Sequence, residues 1–313
     1  ASKHIGFCFS YAAEITPERD GRILNFSKEI QVPEAIGRLV GAELKRYLAA
    51  RGYADDYNIV ILNDTVAALL GGRAVSSQRL FDSNVGFILG TGTNTAYIED
   101  VSAITKLDQQ FPEGEQMIIN MESGDYRIEH RSALDREIDA ATTSPNTYNF
   151  EKMISGRYQG LQALYMLRLA IEEGELFSQF FAEAFAAVVE LDSKELDDFL
   201  YNPYGRNVLA RCCSNDIDRA HLYYIIDNIF ERAALLVSIN LAGVLAEMGT
   251  GKNPTRPTAI TVDGSTFYKS KLFRTKLDVY VKTFINDELG HYCEFLKVEN
   301  SNLIGAAIAG LTN

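Results

Sequence analysis

The sequence predicts an α/β fold built on a mixed sheet, and two patterns carry that prediction. Short apolar runs typical of buried strands are interspersed with longer stretches in which apolar residues recur at helical spacing. Between residues 85 and 121 three strand patterns follow one another closely, whereas two later strand patterns each come after a helical segment. Because adjacent strands pair as hairpins and helical crossovers join parallel strands, we expect a three-stranded meander continued by parallel strands.

The first 62 residues show three strand patterns and one helix. Strands are expected at 5–9 and 23–27, and apolar residues then recur at helical spacing from Pro33 to Gly52. Proline suits the first position of a helix, because the N–H that it lacks has no helical partner there. A buried strand at 59–62 closes this part of the chain.

The remaining elements alternate between the two kinds of pattern. A short helix at 65–70 is expected to end at Gly71 and Gly72. Strand patterns then lie at 85–90, 95–99, 117–121, 259–262 and 291–298, and helical patterns at 150–172, onward to Met248, at 269–289 and at 302–311. This order matches the ribonuclease-H-like plan, in which a meander of three strands is extended through helical crossovers.

Composition restricts the classes of function. The chain has 313 residues, of which 47% are hydrophobic, and this is enough for a large core. Its net charge of −12 opposes binding to nucleic acid or to an anionic membrane, since both repel a surface of that sign. No uninterrupted apolar stretch of membrane-spanning length and no signal-peptide pattern is visible, so we expect a soluble, cytoplasmic protein.

The four cysteines and four histidines do not form a metal-binding pattern. The chain has neither a CxxC pair nor an HExxH helix. We therefore expect reduced, structural thiols and no metal held by protein side chains.

The segment Gly90-Thr91-Gly92-Thr93-Asn94 follows an apolar run and has two readings. It could be a phosphate-binding turn, because glycines allow a phosphate to approach the backbone closely. It could also be a plain β-hairpin turn, since 95–99 can pair back on the preceding strand. The pattern by itself favours the hairpin.

Asp64 also has two readings, and they are compatible with each other. It follows a buried strand and opens a helix, and α/β sheets bind ligands at the carboxyl ends of their strands. It could act as a general base that accepts a proton from a hydroxyl during phosphoryl transfer. Alternatively, it could simply cap the helix, which is a common position for aspartate.

Several segments resemble motifs of the hexokinase family, in family order across nearly the whole chain. They are Phe9-Ser10-Tyr11 for Phe-Ser-Phe, Phe26-Ser27-Lys28 for Trp-Thr-Lys, Asn63-Asp64-Thr65-Val66, Gly90 to Asn94 for the second phosphate loop, Asn120 to Gly124 for Asn-x-Glu-Trp-Gly, Phe150 to Tyr158 for Phe-Glu-Lys-Met-Ile-Ser-Gly-x-Tyr, and Val262-Asp263-Gly264-Ser265. Each motif is weak alone, but together they are specific. Four positions depart from the family pattern: Ala12 replaces proline, Phe26 and Ser123 each replace tryptophan, and Ser27 replaces threonine.

The resemblance implies a hexokinase- or glucokinase-like enzyme with an actin-like ATPase fold, which transfers phosphate from ATP to the 6-hydroxyl of a glucose-like hexose. Asp64 would be the general base. The sugar would be bound by Ser27, Lys28, Asn63, Asn94, Glu122 and Glu151, and the nucleotide by Gly90, Thr91, Gly92, Thr93, Asp263, Gly264 and Ser265. Mg²⁺ would arrive with ATP and be held mainly by phosphates and water.

Several of these residues also have a plain structural reading. Glutamates are mostly exposed, so Glu122 and Glu151 could be solvated surface charges. An Asp-Gly pair such as Asp263-Gly264 is an ordinary turn signal, and Lys28 could be a surface lysine.

The family's first phosphate loop, Asp-x-Gly-Gly-Thr-Asn, has no counterpart in these residues. We therefore expect residues 1–62 to be the remainder of a small sugar-binding lobe. Residues 63–313 would form a large lobe with a complete second ribonuclease-H-like half, the first half being truncated. Two other hypotheses follow: a noncatalytic sugar-binding or regulatory module, or a fragment that needs the missing N-terminal segment as a partner.

Overall fold

A computed structural model describes residues 2–26, 32–53, 56–76, 79–106, 112 and 114–312. The strands within these ranges are β1 His4–Cys8, β2 Ala13–Ile15, β3 Gly21–Ile23, β4 Asn58–Leu62, β5 Asn84–Leu89, β6 Thr93–Asp100, β7 Gln116–Asn120, β8 Thr258–Asp263 and β9 Cys293–Lys297.

The helices are distributed unevenly, with most of them between the third and fourth strands of the main sheet. They are α1 Val40–Ala50, α2 Asp64–Val75, α3 Ala133–Ala140, α4 Asn149–Ile154, α5 Gly156–Glu173, α6 Gln179–Phe185, α7 Ser193–Tyr201, α8 Val208–Cys212, α9 Asp216–Met248, α10 Ser265–Lys269, α11 Phe273–Tyr280 and α12 Ser301–Leu311.

The main sheet has five strands in the order β7-β6-β5-β8-β9. The β5–β6 and β6–β7 pairs are antiparallel, whereas β5–β8 and β8–β9 are parallel. Strands β5 and β8 are buried along most of their length, and Phe87 and Ile260 are fully buried. The predicted meander followed by helical crossovers is thus confirmed.

Smaller strand pairs lie outside this sheet. β1 pairs in parallel with β4, and β2 forms an antiparallel pair with β3. The expected strand at 23–27 is therefore a short hairpin arm that ends at Ile23. The predicted lobe boundary after residue 62 stays a prediction.

The predicted helix from Pro33 begins later than expected. Pro33–Ala35 form only a 3₁₀ turn, Gly37 adopts a left-handed φ of 81°, and α1 starts at Val40. The start is fixed by Asp20, whose carboxylate accepts hydrogen bonds from the backbone N–H groups of Gly41 and Ala42 at 2.6 and 2.9 Å. A distant aspartate satisfies the free N–H groups of the first turn, so proline does not set the boundary.

The prediction that Gly71 and Gly72 end the helix after Asp64 is wrong. Both residues lie inside α2, which continues to Val75. A Cβ at Gly71 would lie 2.2 Å from the carbonyl oxygen of Ser301 at the start of α12. Here glycine allows two helices to approach closely and does not serve as a stop signal.

Two other predicted helices are interrupted. The stretch 150–172 forms α4 and α5, which are separated by Ser155 in an extended conformation with ψ of 154°. The stretch 269–289 contains the end of α10, then α11, and then a π-helical segment at Val281–Glu288.

Helix α9 is long and apolar enough to cross a membrane by length and composition, with a mean hydropathy of 1.7 in its most apolar window. We did not expect such a stretch from the sequence. Of that window, 56% is buried inside the fold, where Ile226, Phe230 and Leu241 belong to the main core. A core helix of this kind meets the same criteria as a membrane span.

A buried ion pair joins α3 to α4. Lys152 donates to Asp139 at 2.5 Å, and Arg131 donates to the same carboxylate at 3.0 Å. The side chains of Asp139 and Lys152 are both buried. Although burial raises the pKa of Asp139, hydrogen bonds from Lys152, the Asn146 N–H and Arg131 lower that pKa below its ordinary value overall.

We expect Asp139→Asn to lower the free energy of unfolding by about 3–5 kcal/mol, because it leaves the Lys152 ammonium buried without its counter-ion. Urea denaturation measures this difference. The lowered pKa stabilises the fold above the unfolded pKa of about 4, and this contribution is lost as pH falls through the folded pKa. The difference between wild type and variant should therefore shrink below about pH 4.

Asp198→Asn is the matched control, since Asp198 pairs with Lys194 in an exposed i,i+4 pair at 2.6 Å. Such pairs contribute about 0.3–0.5 kcal/mol. Equal losses of unfolding free energy in the two variants would contradict a stabilising role for the buried ion pair of Asp139 and Lys152.

A second prediction concerns the contact between α2 and α12. A Cβ at Gly305 would lie 1.9 Å from the carbonyl oxygen of Ala67, so Gly305→Ala must separate the helices and should cost about 1–3 kcal/mol. Gly243→Ala on α9 is the control, because a Cβ there meets no atom within 4 Å. Alanine should stabilise that helix by about 0.5–1 kcal/mol. Thermal unfolding of both variants compares the two effects, and a stabilised Gly305→Ala protein would contradict this packing.

Candidate active site

A polar cavity lies beside the carboxyl end of β4 and the turn after β5. It has about 440 Å³ of space, part of it open solvent. Its wall is formed by residues from six parts of the chain: Ser10, Ala12, Asn63, Asp64, Ile88, Gly92, Thr93, Asn94, Glu122, Gly124, Tyr148 and Glu151. Five predicted substrate or catalytic residues therefore face one space.

Asn94 is the hub of hydrogen bonding in this wall. Its side-chain N–H₂ lies 3.3 Å from the Asn63 Oδ1, 2.7 Å from the Asn120 Oδ1 and 3.5 Å from the Glu122 Oε1. Its Oδ1 accepts from the Thr95 and Ser123 N–H groups. These bonds fix the Asn94 amide, which is only 8% exposed.

Glu122 has an unusual backbone conformation two residues after the end of β7. Its φ and ψ of 52° and 43° lie in the left-handed region, which costs roughly 1–3 kcal/mol for a residue with a side chain. Asn120 donates to its Oε1 at 2.8 Å. Glu122 lines the cavity and is partly buried, so the interpretation as a freely solvated surface charge does not apply.

Glu151 is also not a surface charge, since it is 4% exposed at the start of α4. Its Oε2 accepts a hydrogen bond from the Thr93 backbone N–H at 3.0 Å. A carboxylate of α4 is thereby fixed to the first residue of β6.

One interpretation of Asp64 was that it caps the helix, but this role belongs to its neighbour Asn63. Asn63 is the N-cap of α2, and its Oδ1 accepts from the Thr65 N–H at 2.8 Å. The Asp64 carboxylate accepts from the Thr65 hydroxyl at 3.3 Å and lines the cavity. Burial and then the charge of Asp64 raise the pKa of the Cys8 thiol to about 11, so that thiol is protonated at neutral pH.

The segment Gly90 to Asn94 is a tight hairpin turn, because Leu89 pairs with Thr93 across the two strands. The Gly90 carbonyl accepts from the Gly156 N–H and from the Thr266 hydroxyl, both at 2.9 Å. Thr91 is exposed at the tip. The Thr93 hydroxyl donates to the Ile88 carbonyl at 2.9 Å, so the Thr93 side chain serves the turn itself.

The turn Asp263-Gly264-Ser265 lies against this hairpin, because β8 is the parallel neighbour of β5. Gly264 has a φ of 125°, and a Cβ on it would lie 2.1 Å from the Leu89 carbonyl oxygen. The Asp263 carboxylate accepts from the Gly264 N–H at 2.7 Å and from the Asn302 side chain at 3.0 Å. Asp263 and Ser265 are exposed beside the hairpin tip, outside the wall of the polar cavity.

Two predicted residues, Ser27 and Lys28, lie outside the residues that the structure describes. Two others were missed by sequence reasoning: Asn120, which binds Asn94 and Glu122, and Thr266, which fixes Gly90. Asn120 opens the Asn-x-Glu segment quoted above and was identifiable from that motif. Among the described residues, no three His, Cys, Asp or Glu side chains are grouped so as to hold a metal ion.

Two family models described as hexokinase match the chain, over residues 1–74 and 84–312. Hexokinase-1 of Nicotiana tabacum is 27% identical over 325 aligned positions, which cover 99% of this chain and 64% of that protein. The chain thus spans a little under two thirds of the length of such relatives.

Solved structures share the fold. A hexokinase from Schistosoma mansoni complexed with glucose aligns with a TM-score of 0.81 at 23% identity, covering 98% of this chain and 69% of that one. A ROK family glucokinase from Streptomyces griseus in complex with glucose and AMPPNP gives 0.57 at 15%, covering 97% and 80%. The expected actin-like ATPase fold is confirmed, and with family matches over most of its length the chain belongs to the hexokinase family.

Proposed function

We propose that the protein phosphorylates a glucose-like hexose at its 6-hydroxyl with ATP as donor. The observation that carries this proposal is the polar cavity, in which the Asp64 carboxylate shares one wall with Asn63, Asn94, Glu122 and Glu151. A cavity lined by amides and carboxylates matches a ligand that is covered with hydroxyl groups.

Sugar recognition would rest on the fixed amides and carboxylates. Carboxylates accept strong hydrogen bonds from hydroxyl groups, and an amide can donate and accept at once. Because Asn94, Asn120 and Glu122 already orient one another, little side-chain freedom would be lost on binding. Ser27 and Lys28 would add contacts from the smaller lobe.

Asp64 would be the general base. A sugar hydroxyl is a weak nucleophile, and a carboxylate that accepts its proton as the phosphoryl group is transferred lowers the barrier. Asn63 caps α2 and thus leaves the Asp64 carboxylate to the cavity. The hydroxyl of the buried Thr65 donates to this carboxylate at 3.3 Å and helps to orient it.

ATP would lie across the two adjoining turns. Gly90, Thr91, Gly92 and Thr93 would offer backbone groups and the exposed Thr91 hydroxyl to the phosphates, and Asp263-Gly264-Ser265 would border the nucleotide. Glycine at position 264 lets the two turns pack closely, because a Cβ there would lie 2.1 Å from the Leu89 carbonyl oxygen. Mg²⁺ would neutralise phosphate charge while held mainly by phosphates and water.

The relatives support this choice of substrates. The Schistosoma structure contains glucose, and the Streptomyces structure contains glucose together with an ATP analogue. We accordingly propose a cytoplasmic enzyme whose product, a hexose 6-phosphate, enters glycolysis, with no nucleic acid or membrane partner.

The test is Asp64→Asn in the full-length gene product. We expect glucose-dependent ADP release to fall by about 10²–10⁴-fold, since general-base catalysis contributes about that much. Glucose binding measured by calorimetry should be largely retained, because asparagine keeps the size and a hydrogen-bond acceptor.

The exposed Glu14 provides the control, and Glu14→Gln should leave turnover unchanged. Undiminished turnover in Asp64→Asn would contradict the assignment of the base. Glucose binding without ADP release by the wild-type full-length protein would instead support the noncatalytic sugar-binding module.

A further inference from the structure

A second, apolar recess lies next to the polar cavity, and we call it the α9 groove. It contains about 1110 Å³ of space, part of it open solvent. Its apolar walls are Met121, Tyr126, Phe150, Ile239, Gly243 and Val244. Glu122 borders both this groove and the polar cavity, so the two recesses are neighbours.

The groove concentrates exposed apolar surface. Met121, Tyr126 and Ile239 are 39%, 66% and 50% exposed, although all three are large and apolar or aromatic. Single exposed apolar side chains are ordinary, but several around one recess are typical of a binding site. Met and aromatic walls also favour planar aromatic ligands, through sulfur–aromatic and ring contacts.

Gly243 forms an open part of the groove on α9. Glycine inside a helix costs about 1 kcal/mol relative to alanine. At many buried glycines of this chain a Cβ would strike a neighbouring backbone, but at Gly243 a Cβ would meet no atom within 4 Å. Packing within the described fold therefore does not require this glycine, and its effect is to keep the groove wide.

The position of Ser123 suggests the size of the occupant. Ser123 lines the groove where the hexokinase motif Asn-x-Glu-Trp-Gly has tryptophan, so an indole ring is replaced by a hydroxymethyl group. The Ser123 hydroxyl lies 3.1 Å from the Thr95 hydroxyl, which also accepts from the Asn240 side chain at 2.9 Å. These inner polar groups are already paired, so the ligand can be largely apolar.

The charge of the rim restricts the ligand further. Asp125 and Glu122 are the charged residues of the groove lining, and both are acidic. The whole chain carries a net charge of −12. An anionic aromatic ligand is therefore disfavoured relative to a neutral or cationic one.

We propose that the α9 groove binds a small planar aromatic molecule, neutral or cationic and about the size of indole, at a site separate from the polar cavity. The proposal does not rest on the proposed phosphoryl transfer. Binding requires neither ATP nor turnover, and failure of one proposal leaves the other standing.

Indole is the probe, titrated against the 313-residue chain. The chain contains no tryptophan, so the fluorescence of indole is measured without emission from that residue. We expect saturable binding that persists when glucose is added at high concentration. We also expect indole-3-acetate, the anionic analogue, to bind at least several-fold more weakly.

Gly243→Leu fills the groove and should weaken indole binding at least 10-fold. Ala220→Leu is the matched control, because Ala220 is an exposed residue 23 positions earlier on the same helix. It should leave the affinity unchanged within twofold. Tyr126→Ala removes one exposed wall and should weaken binding several-fold, so the test does not depend on a single variant.

Three results would overturn the proposal. They are non-saturable indole binding, equal affinity in wild type and Gly243→Leu, and complete displacement of indole by glucose. The last result would place indole in the polar cavity. Circular dichroism verifies that each variant is folded before its affinity is compared.

Discussion

The hydrogen bonds to the carbonyl oxygen of Gly90 fix the turn that borders the polar cavity. This oxygen accepts one hydrogen bond from the start of α5 at Gly156 and another from Thr266 on α10, 176 positions away in sequence. The parallel pairing of β5 with β8 brings the turn after β5 and the start of α10 to the same end of the sheet. Because a buried carbonyl must be satisfied, this contact fixes the turn relative to both helices.

The polar cavity shows how a sheet edge becomes a precise binding surface. Asn94, Asn120 and Glu122 bond one another, and Glu151 bonds the Thr93 backbone, so each side chain is oriented before a ligand arrives. The left-handed backbone of Glu122 costs free energy that the surrounding bonds must offset. Burying Glu151 beside the cavity carries a similar cost. Such costs are expected where the geometry serves a ligand rather than stability.

Local patterns predicted the fold better than they predicted its boundaries. The strand patterns and the order of elements predicted the five-stranded sheet, because the apolar residues of each strand themselves indicate that it is buried. The start of α1 depends on Asp20, and the glycines of α2 depend on Ser301 and Thr261, all distant in sequence. Motif residues identified Asp64, Asn94, Glu122 and Glu151, but only the folded chain brings them to one wall. Thr266 carries no local signal, because its role is a contact with Gly90.

In the segment Asn63-Asp64-Thr65, helix capping and presentation of a carboxylate fall on different side chains, which the sequence alone does not show. A helix start needs one side-chain acceptor for its free N–H groups, and Asn63 supplies it without bringing charge to that bond. The next side chain can then point away from the backbone and into the cavity, while the Thr65 hydroxyl holds its carboxylate at 3.3 Å. The first turn of α2 also favours a negative charge. Capping and carboxylate presentation are therefore divided between neighbours, which allows one strand end to fix a helix and face a ligand.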